Sequence, residues 1–390
     1  MLDHAGFRSE NEMLITIVAG ARPNFMKISP IIKAINKARI GGISMDYRLV
    51  HTGQHFDQKM SGEFFAQLGI PEPNINLECG GGTQAEQTAA VMISFERELE
   101  ANRPDVVIVV GDVTSTMACT ITAKKLCVPV AHVEAGIRSG DMTMPEEINR
   151  IVTDSICDRF FTTTRKAGQL LQRTGVSDER IHFVGNTMID TLYQNLDRLR
   201  QPVCWDLNGL REGEYFLLTL HRPANVDDRK TLVSFLTEAI SGANDRKVIF
   251  PVHPRTRRTL ELTGFNDERL VTIDPLGYLQ FIYLLKHAAA VITDSGGITE
   301  EATVLGIPCM TLRDSTERPE TVEIGTNELI GTNPRRLSVY FKELAEGNWK
   351  KGEIPELWDG HAAERIVDVL ARIYLNNSAG NATATARNDH

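Results

Sequence analysis

Short apolar, β-rich runs alternate with stretches of helical periodicity along almost the whole chain. The run Val106–Val110 reads VVIVV, and residues 288–292 read AAAVI. Runs without polar alternation are typical of strands that are buried on both faces of a parallel sheet. Because helical stretches separate the runs, successive strands are predicted to be parallel and joined by crossover helices. The pattern therefore predicts an α/β protein with doubly wound sheets.

The predicted strands fall into two sets, separated by a polar stretch that resembles a linker. The first set is predicted at 14–19, 47–52, 106–110, 128–133, 159–163 and 181–184. The second set is predicted at 215–219, 247–251, 270–273, 290–293 and 308–312. We therefore predict two Rossmann-like domains that face one cleft, the first at 13–198 and the second at 206–358. A last helix at 361–375 is expected to pack back on the first domain, with flexible tails at 1–12 and 376–390.

Composition excludes several classes of protein. The 390 residues carry a formal net charge of −9, which argues against a general nucleic-acid binder. The six cysteines form no CxxC pair and have no metal-ligand spacing, so we expect buried thiols, no metal and a reducing cytoplasm. No apolar run approaches the roughly 18–20 residues that span a membrane. We therefore predict a cytoplasmic protein without cofactor or membrane insertion.

The segment TDSGGITEE at 293–301 directly follows a predicted buried strand. Ser295, Gly296 and Gly297 would form a small-residue turn whose free amides and helix dipole suit a phosphate. Glu300 and Glu301, one turn later, are placed to accept hydrogen bonds from sugar hydroxyls. The segment indicates a nucleotide-sugar site, although an ordinary strand-to-helix turn with an acidic first turn remains an alternative.

Ligands of open parallel sheets bind beyond the carboxyl ends of the strands, and polar residues follow several predicted strands here. His51 and His55 are four residues apart but belong to no HExxH motif, so we expect polar substrate contacts instead of a metal. Arg22 and Lys27 could both meet a diphosphate. The other expected contacts of the nucleotide-sugar are Gln54, His55, Arg138, Arg222, His253, Leu276, Phe281 and Arg318.

Three carboxylates are predicted near the same sheet edge. Asp112 and Glu134 each follow an apolar strand, and Glu146 opens a helix after Pro145. Three carboxylates that converge without metal-binding histidines suggest proton transfer. Burial and mutual repulsion would raise the pKa of one of these carboxyl groups towards neutral. For Glu146 and Glu147 the alternative is helix-dipole stabilisation, worth about 0.3–1 kcal/mol each.

The motifs GARPNFMK, HTGQH, GDVTST, HVEAGIRSGD, PEEINR, LTLHRPANVD, TDSGGITEEATVLGIP and RDSTERPE extend over most of the chain. With them, residues from about 14 to 375 resemble the non-hydrolysing UDP-N-acetylglucosamine 2-epimerases, which have the GT-B fold. The resemblance implies interconversion of UDP-GlcNAc and UDP-ManNAc by elimination and re-addition of UDP, in a homodimer that serves polysaccharide biosynthesis. It implies acid/base roles for Asp112, Glu134 and Glu146, an essential His221, and a cationic loop with Arg22 and Lys27. The implied UDP-binding positions are Phe281, Ser295, Gly296, Gly297, Glu301 and Arg318.

The sequence leaves other functions open. Leu276 stands where relatives usually have a polar nucleobase contact, and Asp57 stands where relatives with an activating second UDP-GlcNAc have glutamine. The alternatives are a 2-epimerase of a UDP-diacetamido-uronate, a hydrolysing enzyme that releases ManNAc and UDP, a glycosyltransferase of the same fold, and a non-catalytic nucleotide-sugar sensor.

Overall fold

The structure is a computed structural model that describes residues 12–53 and 65–375. The chain divides into two compact units. The first contains the described residues up to Thr191 and those from Leu357 onwards, and the second is Leu192–Glu356. Each unit is built on one parallel sheet, so the prediction of two parallel-sheet α/β domains is confirmed.

The sheet of the first unit has the strand order β3-β2-β1-β4-β5-β6-β7 in the described residues, and every neighbouring pair is parallel. Its core is formed where the strands meet their helices, as the all-buried β4 illustrates. The strands are β1 (Met13–Ala19), β2 (Met45–His51), β3 (Ile75–Asn76), β4 (Val106–Val110), β5 (Val130–Val133), β6 (Arg159–Thr162) and β7 (Ile181–Phe183). The helices are α1 (Arg22–Ile40), α2 (Gln84–Ala101), α3 (Thr114–Lys125), α4 (Pro145–Ile156), α5 (Arg165–Arg173) and α6 (Thr187–Asn195). The boundary between the two units falls within α6.

The sheet of the second unit has the parallel order β10-β9-β8-β11-β12-β13. A separate hydrophobic core, with Phe216, Phe235 and Phe250 among its largest members, supports it. The strands are β8 (Tyr215–Thr219), β9 (Lys247–Pro251), β10 (Leu270–Ile273), β11 (Ala290–Thr293), β12 (Cys309–Thr311) and β13 (Asn327–Leu329). The helices are α7 (Val203–Leu207), α8 (Pro223–Val226), α9 (Arg229–Ala243), α10 (Pro254–Glu261), α11 (Tyr278–His287), α12 (Gly296–Leu305), α13 (Pro319–Glu323) and α14 (Leu337–Ala345).

The sequence pattern does not predict the edge strands β3 and β13. They read IN and NEL, so neither contains a continuous apolar run that would distinguish it from a loop. The longer internal strands all appear close to their predicted positions.

In both sheets the strand order reverses beside the first strand of the unit, between β1 and β4 and between β8 and β11. At such a switch point the two crossover connections leave in opposite directions, and a crevice opens beyond the carboxyl ends of the two strands. The residues that border these crevices are Gly20 and Gly111 in the first unit and Leu220 and Asp294 in the second.

The helix α15 (Ala362–Leu370) packs on α1 in the first unit and is followed by a π-helical turn, Ala371–Leu375. The two carboxylate oxygens of Asp190 accept hydrogen bonds from the free amides of Ala362 and Ala363 at 3.0 and 2.7 Å. Burial raises the pKa of Asp190 to about 6, although these amides act in the opposite direction. Among the helices of residues 12–53 and 65–375, none combines the length and apolarity that a membrane crossing requires.

Candidate active site

Glu134 follows β5 directly and forms a buried ion pair with Lys27 of α1. The two residues are only 3% and 7% exposed, respectively. Glu134 has a φ of +69°, in the left-handed region that residues with a side chain rarely adopt. Such a conformation costs on the order of 1–3 kcal/mol and is concentrated at functional sites. The backbone strain and the buried pair together make this carboxylate a candidate functional group.

Gly111, at the end of β4, makes room for the ion pair. Its φ is +66°, and a Cβ at this position would lie 2.9 Å from Nζ of Lys27 and 3.5 Å from Oε2 of Glu134. Neighbouring Asn24 accepts hydrogen bonds from the amides of Gly20 and Ala21 and donates to the Val110 carbonyl. The switch point of the first unit is therefore packed tightly around the Lys27 ammonium.

We expect Gly111→Ala to lower the unfolding free energy by about 2–4 kcal/mol, because it adds a crowded Cβ to the cost of the left-handed backbone. Gly175→Ala is the matched control, since Gly175 has a φ of +93° and open space around its Cβ position. It should show only the backbone cost, roughly 1–2 kcal/mol. Denaturation midpoints measure both, and equal losses would contradict the close packing around Lys27.

Side chains of α4 hold Asp112 in place by hydrogen bonds. Arg150 donates to Oδ2 of Asp112 from Nη2 at 2.5 Å and from Nε at 3.1 Å. Asn149 donates to the Asp112 carbonyl at 2.8 Å. Arg150 also bonds Glu147 at 2.7 Å, and both of these side chains are buried. The guanidinium therefore connects Asp112 to the interior of the unit and fixes where its carboxylate lies.

Glu147 anchors the loop that follows β5. Its carboxylate accepts hydrogen bonds from the amides of Ser139 and Gly140 at 2.9 and 3.0 Å. Burial alone would raise the pKa of Glu147, but the bonds from Ser139, Arg150 and Gly140 hold it below its usual range. Glu147 thus has a positioning role, which goes beyond the helix-dipole alternative considered from the sequence.

Arg138 bonds Oδ2 of Asp154 from Nη1 at 2.6 Å. The other oxygen of Asp154 lies 2.7 Å from Nδ1 of the fully buried His132, whose Nε2 is 2.8 Å from the Gly111 carbonyl. Burial alone would raise the pKa of Asp154, but His132 and Arg138 hold it below its usual range. This network ties Arg138, expected from the sequence to contact the sugar, to the turn that carries Asp112.

The other candidates of the first unit lie as follows. Glu146 is half-buried in the first turn of α4, and Arg22 is the first residue of α1. Gln54, His55 and Asp57 lie outside the described residues. Across residues 12–53 and 65–375 no group of three or more histidine, cysteine or acidic side chains could hold a metal ion.

In the second unit, His221 and Asp294 meet across the switch point. Nδ1 of His221 lies 2.7 Å from Oδ1 of Asp294, which is fully buried. Asp294 also accepts hydrogen bonds from the backbone amides of His221 and Arg222 and from Nδ2 of Asn225. Through Asp294, the turn after β11 therefore fixes the position of the loop after β8 by hydrogen bonds.

Helix α12 begins at Gly296, with Ser295 as its N-cap. The Ser295 hydroxyl does not cap the helix, and Ser295, Gly296 and Gly297 are all partly exposed. The first amides of a helix have no intrahelical acceptor and carry the positive end of its dipole. A Cβ on Gly296 would lie 3.0 Å from Oε1 of Glu317, so a larger residue would crowd the turn. This end of α12 can bind an anion such as a phosphate.

The carboxylates of α12 are buried one turn further on. Glu300 pairs with Arg318, whereas burial raises the pKa of Glu301 to about 8, with Glu300 adding to the shift and a bond from Tyr278 opposing it. Glu317 pairs with Arg313 at 2.6 Å. Although burial opposes it, Arg318 and Arg313 lower the pKa of Glu317 to about 2. Glu301 is therefore the carboxyl of this cluster that can change its charge near neutral pH.

The remaining candidates of the second unit lie after the strands β8, β9 and β10. Arg222 is the N-cap of α8, and His253 is the exposed N-cap of α10. Leu276 precedes α11, and Phe281 lies on it, both partly exposed.

Sequence reasoning missed Asp294, Arg150 and Glu147 as positioning groups. A position directly after an apolar strand could have indicated Asp294, because the same signal selected Asp112 and Glu134. Arg150 and Glu147 gave no comparable signal, since charged residues in the first turns of a helix are usually solvated.

The two switch-point sites define a class: α/β proteins with polar residues gathered at the carboxyl ends of parallel strands, where such folds bind their ligands. The family model described as UDP-N-acetylglucosamine 2-epimerase matches residues 40–371. A UDP-N-acetylglucosamine 2-epimerase of Methanocaldococcus jannaschii is 41% identical over 371 residues, covering 92% of this chain and 99% of that protein. The chain belongs to the UDP-N-acetylglucosamine 2-epimerase family.

Two further comparisons bear on the ligand. The crystal structure of the M. jannaschii UDP-GlcNAc 2-epimerase in complex with UDP-GlcNAc and UDP matches with a TM-score of 0.81 at 40% identity, over 92% of this chain and 100% of that chain. A UDP-2,3-diacetamido-2,3-dideoxy-D-glucuronate 2-epimerase of Pseudomonas aeruginosa is 40% identical over 366 residues, covering 93% of this chain and 100% of that protein.

Proposed function

We propose that this protein is an isomerase that interconverts UDP-GlcNAc and UDP-ManNAc. The observation that carries the proposal is Glu134: a buried carboxylate in a strained backbone conformation, paired with Lys27 at a switch point. Family membership supplies the substrate class. The proposed reaction breaks the C2–H bond and the C1–O bond to UDP, which gives a glycal. Re-addition of UDP restores the C1–O bond, and a proton returns to C2 on the opposite face.

The carboxylates of the first unit carry the proton transfers in this proposal. A proton at C2 of a sugar is weakly acidic, so a positioned base must remove it as the diphosphate departs. We assign this work to Glu134, with Asp112 and Glu146 as the other acid/base groups. Lys27 and Arg22 supply positive charge for the diphosphate, and Arg138, Gln54 and His55 contact the sugar.

The second unit holds the nucleotide in this proposal. The first amides of α12 and the hydroxyl of Ser295 bind phosphate oxygens, which is the use that a free helix N-terminus favours. Glu301 accepts hydrogen bonds from ribose hydroxyls, while Phe281 and Leu276 border the base. His221 contacts the diphosphate, and Arg222, His253 and Arg318 complete the polar surroundings. No metal or other cofactor has a part in the proposed reaction.

A second candidate substrate is UDP-2,3-diacetamido-2,3-dideoxy-D-glucuronate, because the P. aeruginosa epimerase of that sugar is 40% identical to this chain. The experiment is incubation of the purified protein with each UDP-sugar separately, followed by anion-exchange chromatography. We expect an equilibrium mixture of UDP-GlcNAc and UDP-ManNAc. Epimerisation of the uronate alone would select the second candidate, free ManNAc with UDP would show a hydrolysing enzyme, and binding without turnover would show a sensor.

We expect UDP-GlcNAc binding to strengthen as pH rises from about 6 to 8 and to level off above that. Burial keeps Glu301 protonated below its pKa of about 8, whereas hydroxyl donors favour the ionised carboxylate, so binding should lower this pKa and release a proton. Isothermal titration in buffers of different ionisation enthalpy measures the release. Glu301→Gln should lack this contribution, and equal proton release by Glu301→Gln and the unaltered protein would contradict this role of Glu301.

We propose that the protein is a homodimer that associates through the outer face of α4. This helix turns its polar side chains inward, where Glu147, Arg150 and Asp154 are buried. Its apolar side chains face outward, with Ile148 44% and Ile151 38% exposed. α2 and α4 both pack against α3, and Ile93 of α2 is also exposed. A second copy would present the same apolar surface, as a two-fold symmetric interface requires.

We expect the double variant Ile148→Asp/Ile151→Asp to be monomeric, because paired carboxylates on that face repel their symmetry mates. Sedimentation equilibrium measures the mass. Ile40→Asp is the control, since Ile40 is exposed at the end of α1 and should leave the dimer intact. A monomeric parent protein, or a dimeric double variant, would contradict the assignment of this face.

We also place the enzyme in the cytoplasm and its product in polysaccharide biosynthesis. The supporting observation is that all six cysteines are free thiols, four of them buried, which agrees with a reducing compartment. Cell fractionation tests the location, and loss of ManNAc-containing polymer after deletion of the coding sequence tests the pathway.

A further inference from the structure

The switch point of the second unit brings together a histidine and a carboxylate that the sequence does not connect. β8 and β11 are paired with Thr219 opposite Thr293, and the amide of Asp294 donates to the Thr219 carbonyl at 3.3 Å. His221 therefore lies beside Asp294 although 73 positions separate them along the chain. The contact exists only because β8 and β11 are neighbours in the sheet.

Asp294 is surrounded by donors. Oδ1 faces Nδ1 of His221 at 2.7 Å and the His221 amide at 3.1 Å. Oδ2 accepts from the Arg222 amide and from Nδ2 of Asn225, both at 2.9 Å. Burial alone would raise the pKa of Asp294, but these bonds, those of His221 foremost, hold it below its usual range. Asp294 is thus an ionised carboxylate that can only accept hydrogen bonds.

This environment determines the tautomer of His221. Since the ionised Asp294 has no proton to donate, Nδ1 of His221 must carry the hydrogen of their shared bond. The side chain of His221 is 58% exposed, whereas that of Asp294 is fully buried. Nδ1 is engaged by Asp294, so Nε2 is the ring nitrogen that this contact leaves open. The nitrogen available to a ligand is therefore Nε2.

We propose that Asp294 is a positioning residue for the epimerase reaction: it fixes the ring orientation and the Nδ1–H tautomer of His221, so that Nε2 meets the diphosphate of the substrate. This inference rests on the proposed function. When the C1–O bond breaks, the electron pair stays on the departing phosphate oxygen, and the proton from C2 goes to Glu134. In this tautomer Nε2 carries no hydrogen, so it donates to the diphosphate only when it holds a proton taken from solvent, and the ionised Asp294 stabilises the charged ring that results.

The same carboxylate also supports the loop, so the test must separate positioning of the ring from support of the backbone. Asp294→Asn retains the shape of the side chain. The fixed donors Arg222 and Asn225 face the position of Oδ2, so the amide oxygen of the new residue should remain there. Its NH₂ group would then face Nδ1 of His221 and donate to it, which forces the ring hydrogen onto Nε2.

The primary readout is side-chain ¹⁵N NMR of histidine-labelled protein without substrate, with His221 assigned by its absence in His221→Asn. We expect Nδ1–H in the unaltered protein and Nε2–H in Asp294→Asn. We also expect kcat to fall by up to about 10⁴-fold, the loss seen when a carboxylate behind a catalytic imidazole becomes an amide, because the neutral amide cannot stabilise the charged ring; KM should change much less. Asn225→Ala removes one donor to Oδ2 but leaves the imidazole contact, so it should keep the Nδ1–H tautomer.

A double-mutant cycle completes the test. If Asp294 acts through His221, Asp294→Asn/His221→Asn should be no slower than His221→Asn alone. An Nε2–H tautomer in the unaltered protein would overturn the proposal without any variant, even if Asp294→Asn failed to fold. It would also be overturned if Asn225→Ala lost as much kcat as Asp294→Asn with the tautomer unchanged. A protein that epimerises no UDP-sugar would contradict the proposed function. The NMR spectrum would still decide how Asp294 orients His221, because the tautomer is measured without substrate.

Discussion

Glu134→Gln is expected to slow exchange of the C2 proton by about 10²–10⁴-fold while UDP still binds with an affinity within about threefold of the unaltered protein. Loss of a general base typically costs about 10²–10⁴-fold in rate, and here the same group also orients the Lys27 ammonium. The nucleotide contacts assigned to the second unit do not involve Glu134. The measurement pairs the rate of C2 exchange with UDP affinity by isothermal titration.

The substitution also leaves Lys27 buried without its carboxylate, and breaking a buried pair costs about 3–5 kcal/mol. Glu98→Gln is the control, because Glu98 is also a buried carboxylate of the first unit with a cationic partner, the partly exposed Arg48. It should destabilise the protein and keep C2 exchange. The double variant Lys27→Met/Glu134→Gln should recover stability without recovering exchange. Full exchange in Glu134→Gln would show that another group is the base.

His221→Asn is expected to lower turnover by about 10²–10⁴-fold with little change in stability. Asparagine can still donate to Asp294, so the buried carboxylate keeps a partner, but it has no atom at the position of Nε2. Steady-state kinetics and a thermal unfolding midpoint measure the two effects.

The matched control is His361→Asn in the first unit. His361 is also largely exposed, and its Nδ1 lies 3.0 Å from a carboxylate oxygen of Glu364. Loss of such a surface pair should change neither turnover nor stability by more than about 1 kcal/mol. If His221→Asn turned over at a nearly normal rate, His221 would be scaffold, and the diphosphate contact would belong to another group.

Much of the fold could be predicted because the internal strands have unambiguous patterns. β4 contains only valine and isoleucine and is completely buried, as its composition indicates. The strand order could not be read from the sequence, since nothing local in β1 and β4 shows that they are neighbours. The face that α4 turns inward was equally hidden. Its periodicity alone would bury Ile148 and Ile151, but the inner face of α4 instead carries Arg150, which is buried and bonds Asp112.

The candidate site was predictable where chemistry follows a strand end directly. That signal selected Asp112, Glu134, His221 and Ser295. It could not show the left-handed backbone of Glu134 or its pairing with Lys27, because both depend on how β5 lies relative to α1. It also did not separate the two carboxylates of α12. Glu300 forms an ion pair with Arg318, whereas burial raises the pKa of Glu301 to about 8.

The most direct test of the proposed chemistry is proton NMR of the purified protein with UDP-GlcNAc in D₂O, without added NAD or metal. Reversible removal of the C2 proton requires deuterium at C2 of the UDP-ManNAc that forms and, with time, at C2 of the remaining UDP-GlcNAc. UDP-ManNAc that retains the original hydrogen at C2 would contradict deprotonation by an exchangeable carboxylate and would remove Glu134 from its assigned role.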